Sequence, residues 1–265
     1  GTQSAKGADA YNSIESLEKT MRRVLALHKN YPANKATLAG KLGKPPGVEG
    51  RVVFALAEGA AYGLDASTGA VLWRRFVGFD TQMTPVGIQT ADVSDGLLVD
   101  AVRNEVVRVV ARSGRLRWRH PVGEPFTGEP LLLGNRILVA TRFGRLIALD
   151  AQSGDALFSA DLPQPLHTQP GGDPKKGYVY QVGERLNLYV MSLGDGSCRE
   201  TALLGHDPGS VTVPPLVVQR YVMVVENRGE NFSYLHVFAT DVDGLSLKRL
   251  EKRRIEGQGN VPLLN

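Results

Sequence analysis

One phrase recurs along this chain at a nearly constant interval, and that recurrence limits the possible folds more than any other feature. It reads Gly63-Leu64-Asp65-Ala66-Ser67-Thr68-Gly69-Ala70-Val71-Leu72-Trp73, returns as Val109-Val110-Ala111-Arg112-Ser113-Gly114-Arg115-Leu116-Arg117-Trp118, and again as Ala148-Leu149-Asp150-Ala151-Gln152-Ser153-Gly154-Asp155-Ala156-Leu157-Phe158. Weaker copies follow at Ser192–Gly196 and Thr240–Gly244, so that the turn glycines 69, 114, 154, 196 and 244 are 45, 40, 42 and 48 residues apart. A period near forty-four signifies a repeat architecture in which each copy is one supersecondary unit that buries its faces against its neighbours.

The cleanest copy shows what the unit is. Pro130–Leu133 and Ile137–Ala140 are short apolar runs separated by Gly134-Asn135-Arg136. Arg145–Asp150 follows the Arg142-Phe143-Gly144 turn, and Asp155–Ser159 follows Gln152-Ser153-Gly154. Short β-branched and aliphatic runs punctuated by glycine read as strands, and the 30 glycines in 265 residues supply the turns. Four antiparallel strands per unit, radially repeated, predict an all-β chain, a β-propeller of four-stranded blades with about five repeats visible. The end Val261-Pro262-Leu263-Leu264 matches a first strand and the start at Gly50–Leu56 matches a second, so the two are expected to share one blade.

Residues 1–47 differ in kind. Ser13 is placed to cap a helix whose apolar positions Ile14, Leu17, Met21, Val24 and Leu25 recur at three and four, and Gly43-Lys44-Pro45-Pro46-Gly47 reads as a linker. The domain organisation expected is therefore a helical extension and linker over 1–47 and the propeller over 48–265.

Charge excludes one class of function. The net +4 resides in residues 1–50, because residues 51–265 hold 23 Lys/Arg against 23 Asp/Glu. A nucleic-acid footprint is a basic patch on the folded domain, so no nucleic acid is expected as partner. Arg103, Arg108, Arg112, Arg115, Arg117 and Arg119 read, at strand spacing, as a solvated face. No apolar stretch is long enough to span a bilayer as a helix.

The repeated phrase, with Asp65, Gly69 and Trp73, then Gly114 and Trp118, then Asp150, Gly154 and Phe158, resembles the tryptophan-docking repeat of quinoprotein-type (PQQ-like) β-propellers, over about residues 50–265. The resemblance implies that the Asp and Thr-Gly shape the turn between the third and fourth strands and that the aromatic docks on the adjacent blade. Glu200 and Lys248 depart from it by replacing the aromatic. Enzymes of the family oxidise alcohols or sugars with the quinone cofactor and calcium, often above a pair of adjacent cysteines. This chain has one cysteine, Cys198. No nucleophile, metal-binding or dinucleotide motif is present, and the histidines lack ligand spacing.

Loops on a rigid scaffold are then the expected carriers of function. The links from fourth to first strands and the turns from second to third strands should share one face. They place Asp80, Gln82, Glu124, Phe126, Arg142, Phe143, His167, Gln169, His206 and Arg228 there as candidate binding residues, with no catalytic or metal-ligating residue and no cofactor. Exposed Phe and Arg suit a protein partner. The expected function is a non-catalytic scaffold, extracytoplasmic and bacterial, similar in kind to the propeller lipoprotein of the outer-membrane barrel-assembly machinery. The alternatives are a quinone (PQQ)-dependent, calcium-containing alcohol or sugar dehydrogenase, or a small-ligand-binding propeller.

Overall fold

A computed structural model describes residues 51–259 apart from 80–82, 84, 90–93, 207–209 and 229–230, together with Arg22, Ala26, Lys29 and Ala33. The chain divides into two compact units, Gly1–Glu49 and Gly50–Asn265. In the first, Arg22, Ala26 and Lys29 are helical; the remainder of the helix expected from Ser13 lies outside the described residues, as does Val261–Leu264.

The second unit is built of nineteen strands among the described residues. They are β1 (Val52–Ala57), β2 (Ala60–Asp65) and β3 (Val71–Phe76); β4 (Val86–Gln89), β5 (Ser94–Asp100), β6 (Glu105–Val110) and β7 (Leu116–Pro121); β8 (Leu131–Leu133), β9 (Arg136–Ala140), β10 (Arg145–Asp150) and β11 (Ala156–Asp161). Then come β12 (Gly171–Gly172), β13 (Tyr178–Val182), β14 (Asn187–Ser192) and β15 (Cys198–Leu203), and finally β16 (Leu216–Val218), β17 (Tyr221–Arg228), β18 (Phe232–Thr240) and β19 (Leu247–Glu256). Each group pairs in chain order as one antiparallel sheet, the first with three strands and the other four with four. These are the blades of a β-propeller.

The middle strands of each blade read as continuous apolar runs because both of their faces are covered. On β9 and β10, Ile137, Val139, Ile147 and Leu149 enter the core shared with blade two. Their neighbours Leu138, Ala140, Leu146 and Ala148 enter the core shared with blade four. The same two-residue alternation sends Val107 and Val109 toward blade one and Val106 toward blade three, and Tyr189 and Met191 toward blade three but Leu188 and Val190 toward blade five. Successive side chains on a strand point to opposite faces, so one strand serves two cores.

A specific latch joins consecutive blades. The Trp73 indole donates its Nε1–H to the Ala111 carbonyl at 2.5 Å and lies against Gly114; Trp118 donates to the Ala151 carbonyl at 3.1 Å and lies against Gly154; Phe158 lies against Gly196. Those turn glycines have φ of +65°, +80° and +72°, and a Cβ on them would stand 2.7, 2.6 and 2.3 Å from the docked ring. Glycine is thus demanded twice, by backbone conformation and by the incoming aromatic. The third-to-fourth strand ladder shifts register next to the latch in every blade, at Gly63/Leu64, Arg108/Val109, Ala148/Leu149, Val190/Met191 and Val237/Phe238. Such a bulge bends the strand and re-aims its side chain. Within the turns, Asp65 Oδ1 accepts from the Ser67 and Thr68 amides at 3.0 and 3.1 Å and from the Ser67 hydroxyl. Asp150 does the same with the Gln152 and Ser153 amides. The Ser67 hydroxyl and amide pull the Asp65 carboxyl down to about 2.

Two features depart from the sequence reading. At the fourth blade, where Glu200 replaces the aromatic, the latch passes to Tyr180 on β13: its hydroxyl donates to the Gly244 carbonyl at 2.6 Å, and Lys176 Nζ donates to Thr240 Oγ1 at 2.8 Å. Burial pushes the Tyr180 phenol up to about 12. Arg108, read as part of a solvated face, is instead internal. Its Nε meets the buried Asp95 carboxylate at 2.7 Å, and its guanidinium reaches the same Ala151 carbonyl that Trp118 uses. A carboxylate enclosed between blades needs a paired cation, and Arg108 is the side chain one strand away that supplies it. Arg112, Arg115, Arg117 and Arg119 are exposed as expected.

A second buried charge cluster lies in blade five. Glu226 and His236 have no exposed side-chain surface; Glu226 Oε2 is 2.8 Å from His236 Nε2 and 3.3 Å from Lys252 Nζ, and Oε1 is 2.6 Å from the Arg228 guanidinium. Because the carboxylate only accepts, the neutral ring carries its proton on Nε2, which leaves Nδ1 buried without a partner. Burial holds the imidazole below its usual range.

Trp118→Ala is expected to lower the unfolding free energy by about 3 kcal/mol or more, since it removes a buried aromatic and leaves a cavity. Glu200→Ala, which removes a half-buried carboxylate accepting from the Leu247 amide of blade five at 3.2 Å, should cost only about 1 kcal/mol, the loss of one hydrogen bond. Urea titrations of both variants test the pair. His236 generates a pH dependence whose sign follows from its depressed folded pKa. The unfolded chain takes up the proton first, so stability is fully present above pH 6.5, the ordinary histidine value, and falls as the pH drops below it. Urea midpoints at pH 7.5 and 5 should differ more for the wild-type chain than for His236→Gln, which keeps a donor for Glu226 and does not titrate.

Candidate functional site

The two loop sets do share a face. Where each fourth strand ends, its backbone meets the turn between second and third strands of the same blade: Val77 N donates to Gly59 O, Val122 N to Asn104 O, Leu162 N to Gly144 O and Leu204 N to Leu186 O, each at 2.8 Å. The chain then crosses toward the next blade and is pinned by single β-bridges, Phe126 to Thr141 and Leu166 to Gly183. This stitch orders the loop face around blades three and four.

The candidate residues separate into three groups on this array. Phe126 is 3% exposed and belongs to the core between blades two and three; it is an anchor of the link, and its placement corrects the expectation of a surface contact. The β-bridge that fixes its backbone also turns its ring inward. Glu124 is engaged locally, accepting from Thr141 Oγ1 at 2.7 Å and pairing with Arg145 at 2.8 Å. Arg228 is held by Glu226, and the Gln169 amide lies where Gly128 leaves room for it.

Arg142, Phe143, His167 and His206 face solvent. Phe143 is 74% exposed on a turn with little freedom: Arg142 N donates to Pro125 O at 2.9 Å and Gly144 N to Thr141 O at 3.2 Å. Gly144 has φ +101° with the Leu162 and Gln164 carbonyls 2.7 Å from where a Cβ would be. His167 Nε2 stands 3.4 Å from Glu184 Oε1, both half-exposed. Between them, Thr127, Arg142, Leu166 and His167 line an open cleft of about 260 Å³. Thr127 and Leu166 are the lining residues absent from the candidates; Pro165-Leu166 occupies the place of Pro125-Phe126 one repeat earlier, which was the available signal for Leu166. Asp80 and Gln82 lie outside the described residues.

Chemically, the cleft offers one guanidinium, one hydroxyl, one leucine side chain and one imidazole backed by the Glu184 carboxylate. Among the described residues no three His, Cys, Asp or Glu side chains converge in a metal-binding group. Cys198 is exposed on β15. No described helix is long and apolar enough to cross a membrane.

Comparison with known proteins bears on this architecture. A family model described as outer membrane protein assembly factor BamB matches residues 57–264. Among solved structures, the chain is similar to BamB from Moraxella catarrhalis, at 14% identity over 78% of this chain and 76% of that one, with a TM-score of 0.51. At that identity the likeness concerns the fold. No curated protein sequence matches. With blades latched by the repeated aromatic and the family match running from the first blade to the end of the last, this chain belongs to the BamB family of PQQ-like repeat β-propellers.

Proposed function

We propose that this protein is a non-catalytic scaffold that holds a protein partner on its loop face within the bacterial cell envelope. The observation that carries the reading is Phe143, an aromatic side chain 74% exposed on a turn locked by backbone hydrogen bonds, flanked by Arg142 and the cleft at Leu166 and His167. Keeping a large apolar ring in water costs free energy in the isolated protein, and a partner that covers it recovers that cost. Aromatic and arginine side chains on a preordered backbone are the groups that dominate interface energies. Membership of a family described by outer-membrane assembly supports the setting.

A photo-cross-linking residue placed at position 143 and exposed in envelope extracts is expected to capture a discrete partner. The same residue at Val242, 94% exposed in a turn at the opposite end of blade five, is not. Phe143→Ala combined with Arg142→Ala should weaken the captured complex about thirtyfold, the effect of losing a hot spot of about 2 kcal/mol. Equal capture from both positions would overturn the reading. Pyrroloquinoline quinone with calcium should leave the melting temperature unchanged. A rise of several degrees that His167→Ala abolishes would favour the dehydrogenase instead.

A further inference from the structure

The outer strand of blade five is unlike its counterparts. β3, β7, β11 and β15 each have six residues, whereas β19 has ten, eight of them exposed. It closes its sheet on one side and, among the described residues, pairs with β18 alone. The chain leaving it turns back over the sheet, with Gly257 N bonded to Asn231 O, the Gly259 carbonyl accepting from Thr212 and Asn227, and Gly259 N donating to Asn227 Oδ1. That path leads away from the outer edge of β19.

Positive charge is concentrated there in a domain that is balanced as a whole. Lys248, Arg249, Lys252, Arg253 and Arg254 stand against Glu251 and Glu256. Three of the cations are preordered on aromatic rings of β18: Arg249 lies 5.3 Å from the Phe238 ring centre, Lys252 4.5 Å from Tyr234 and Arg254 4.2 Å from Phe232. Arg249 is further tied to the Leu203 carbonyl of blade four. Stacking on a ring removes rotamer freedom before any ligand arrives, so less is lost on binding. The result is a long β edge, bulged at Leu250 and regular from Glu251 to Glu256, whose backbone groups face outward beside a row of positive charge.

Lysine and arginine on an edge strand deter pairing with a second copy, because two such strands repel. The same arrangement attracts a strand of opposite sign, since opposite charges directly across a ladder stabilise it. We infer that β19 is an acceptor edge for strand addition by an extended, acidic segment of a partner protein, one that carries Asp or Glu at alternate positions opposite Lys252 and Arg254. The inference rests on the scaffold reading only in taking the partner to be a protein, and it uses a surface separate from Phe143. The alternating requirement follows from the two-residue period of a strand, which places Lys252 and Arg254 on one face.

The test uses the full chain and three labelled, end-blocked octapeptides: alternating Glu-Val, alternating Lys-Val, and the Glu-Val peptide N-methylated at every second amide. Fluorescence anisotropy at low salt should show binding of the Glu-Val peptide, with the other two weaker by about tenfold or more, as loss of two charge pairs or of edge hydrogen bonds implies. Hydrogen exchange should slow at β19 amides on adding the Glu-Val peptide. Arg253→Glu with Arg254→Glu is expected to abolish both effects; Arg254→Gln, which adds no negative charge near Glu226, should weaken binding several-fold if the double variant fails to fold. Binding of the Lys-Val peptide as tightly as Glu-Val, protection mapping away from β19, or binding of phosphatidylglycerol vesicles without binding of the peptide would overturn the inference. Loss of these signals with cross-linking at position 143 intact sinks this inference alone; the reverse result removes the loop-face reading and leaves β19 standing.

Discussion

The Trp118 indole leaves β7, donates to the carbonyl of Ala151 in the next blade and lies over Gly154, and the order of the whole β unit follows from this kind of contact. A four-stranded antiparallel sheet with both faces apolar has no stability by itself. Hydrophobic burial between sheets provides the driving force but is indifferent to register, because sheets slide over each other at little cost when aliphatic chains interdigitate. The aromatic latch removes that indifference. It ties the fourth strand of one blade to the turn of the next through one hydrogen bond and one ring that only glycine admits, so each blade has a single seating on its neighbour.

The latch weakens in sequence along the chain but not in function. Phe158 keeps the ring and loses the donor; Glu200 loses both. The fourth blade responds by drawing its contact from the second strand, where Tyr180 reaches Gly244 with a hydroxyl that burial keeps protonated far into the alkaline range. Within blade five the buried contact is ionic, with Glu226 enclosed by His236, Arg228 and Lys252. Arg108 and Asp95 form a comparable pair between blades two and three. Buried charges of this kind add little net stability over a well-packed apolar core, but breaking one partner away is costly, so they favour one geometry strongly over near alternatives.

That rigidity is what makes the loop face usable. The links leading into blades three and four are stitched at Phe126 and Leu166, and the turn at Thr141–Gly144 is fixed by backbone hydrogen bonds, so Phe143 and Arg142 are displayed without the entropy loss that flexible loops suffer on binding. The anchoring Phe126 and the displayed Phe143 look alike in sequence. One is the residue whose backbone bridges to Thr141 and whose ring enters the core; the other stands at a turn apex with solvent on all sides.

The repeat period, the glycine turns, the aspartates that cap them and the latching rings of Trp73, Trp118 and Phe158 could all be read from the residues, because each of these is local: a turn needs its glycine and its Asx side chain within a few positions of one another. The strand pattern was legible for the same reason, as was the shared loop face, which antiparallel connectivity dictates. Only the tertiary structure decided which side chains on those loops reach solvent, that Arg108 would turn inward to Asp95, that Tyr180 would replace a missing tryptophan, and that Glu226 and His236 would meet. These contacts join residues ten to more than sixty positions apart, and their partners are set by how two twisted sheets happen to face each other, a relation that no local pattern encodes.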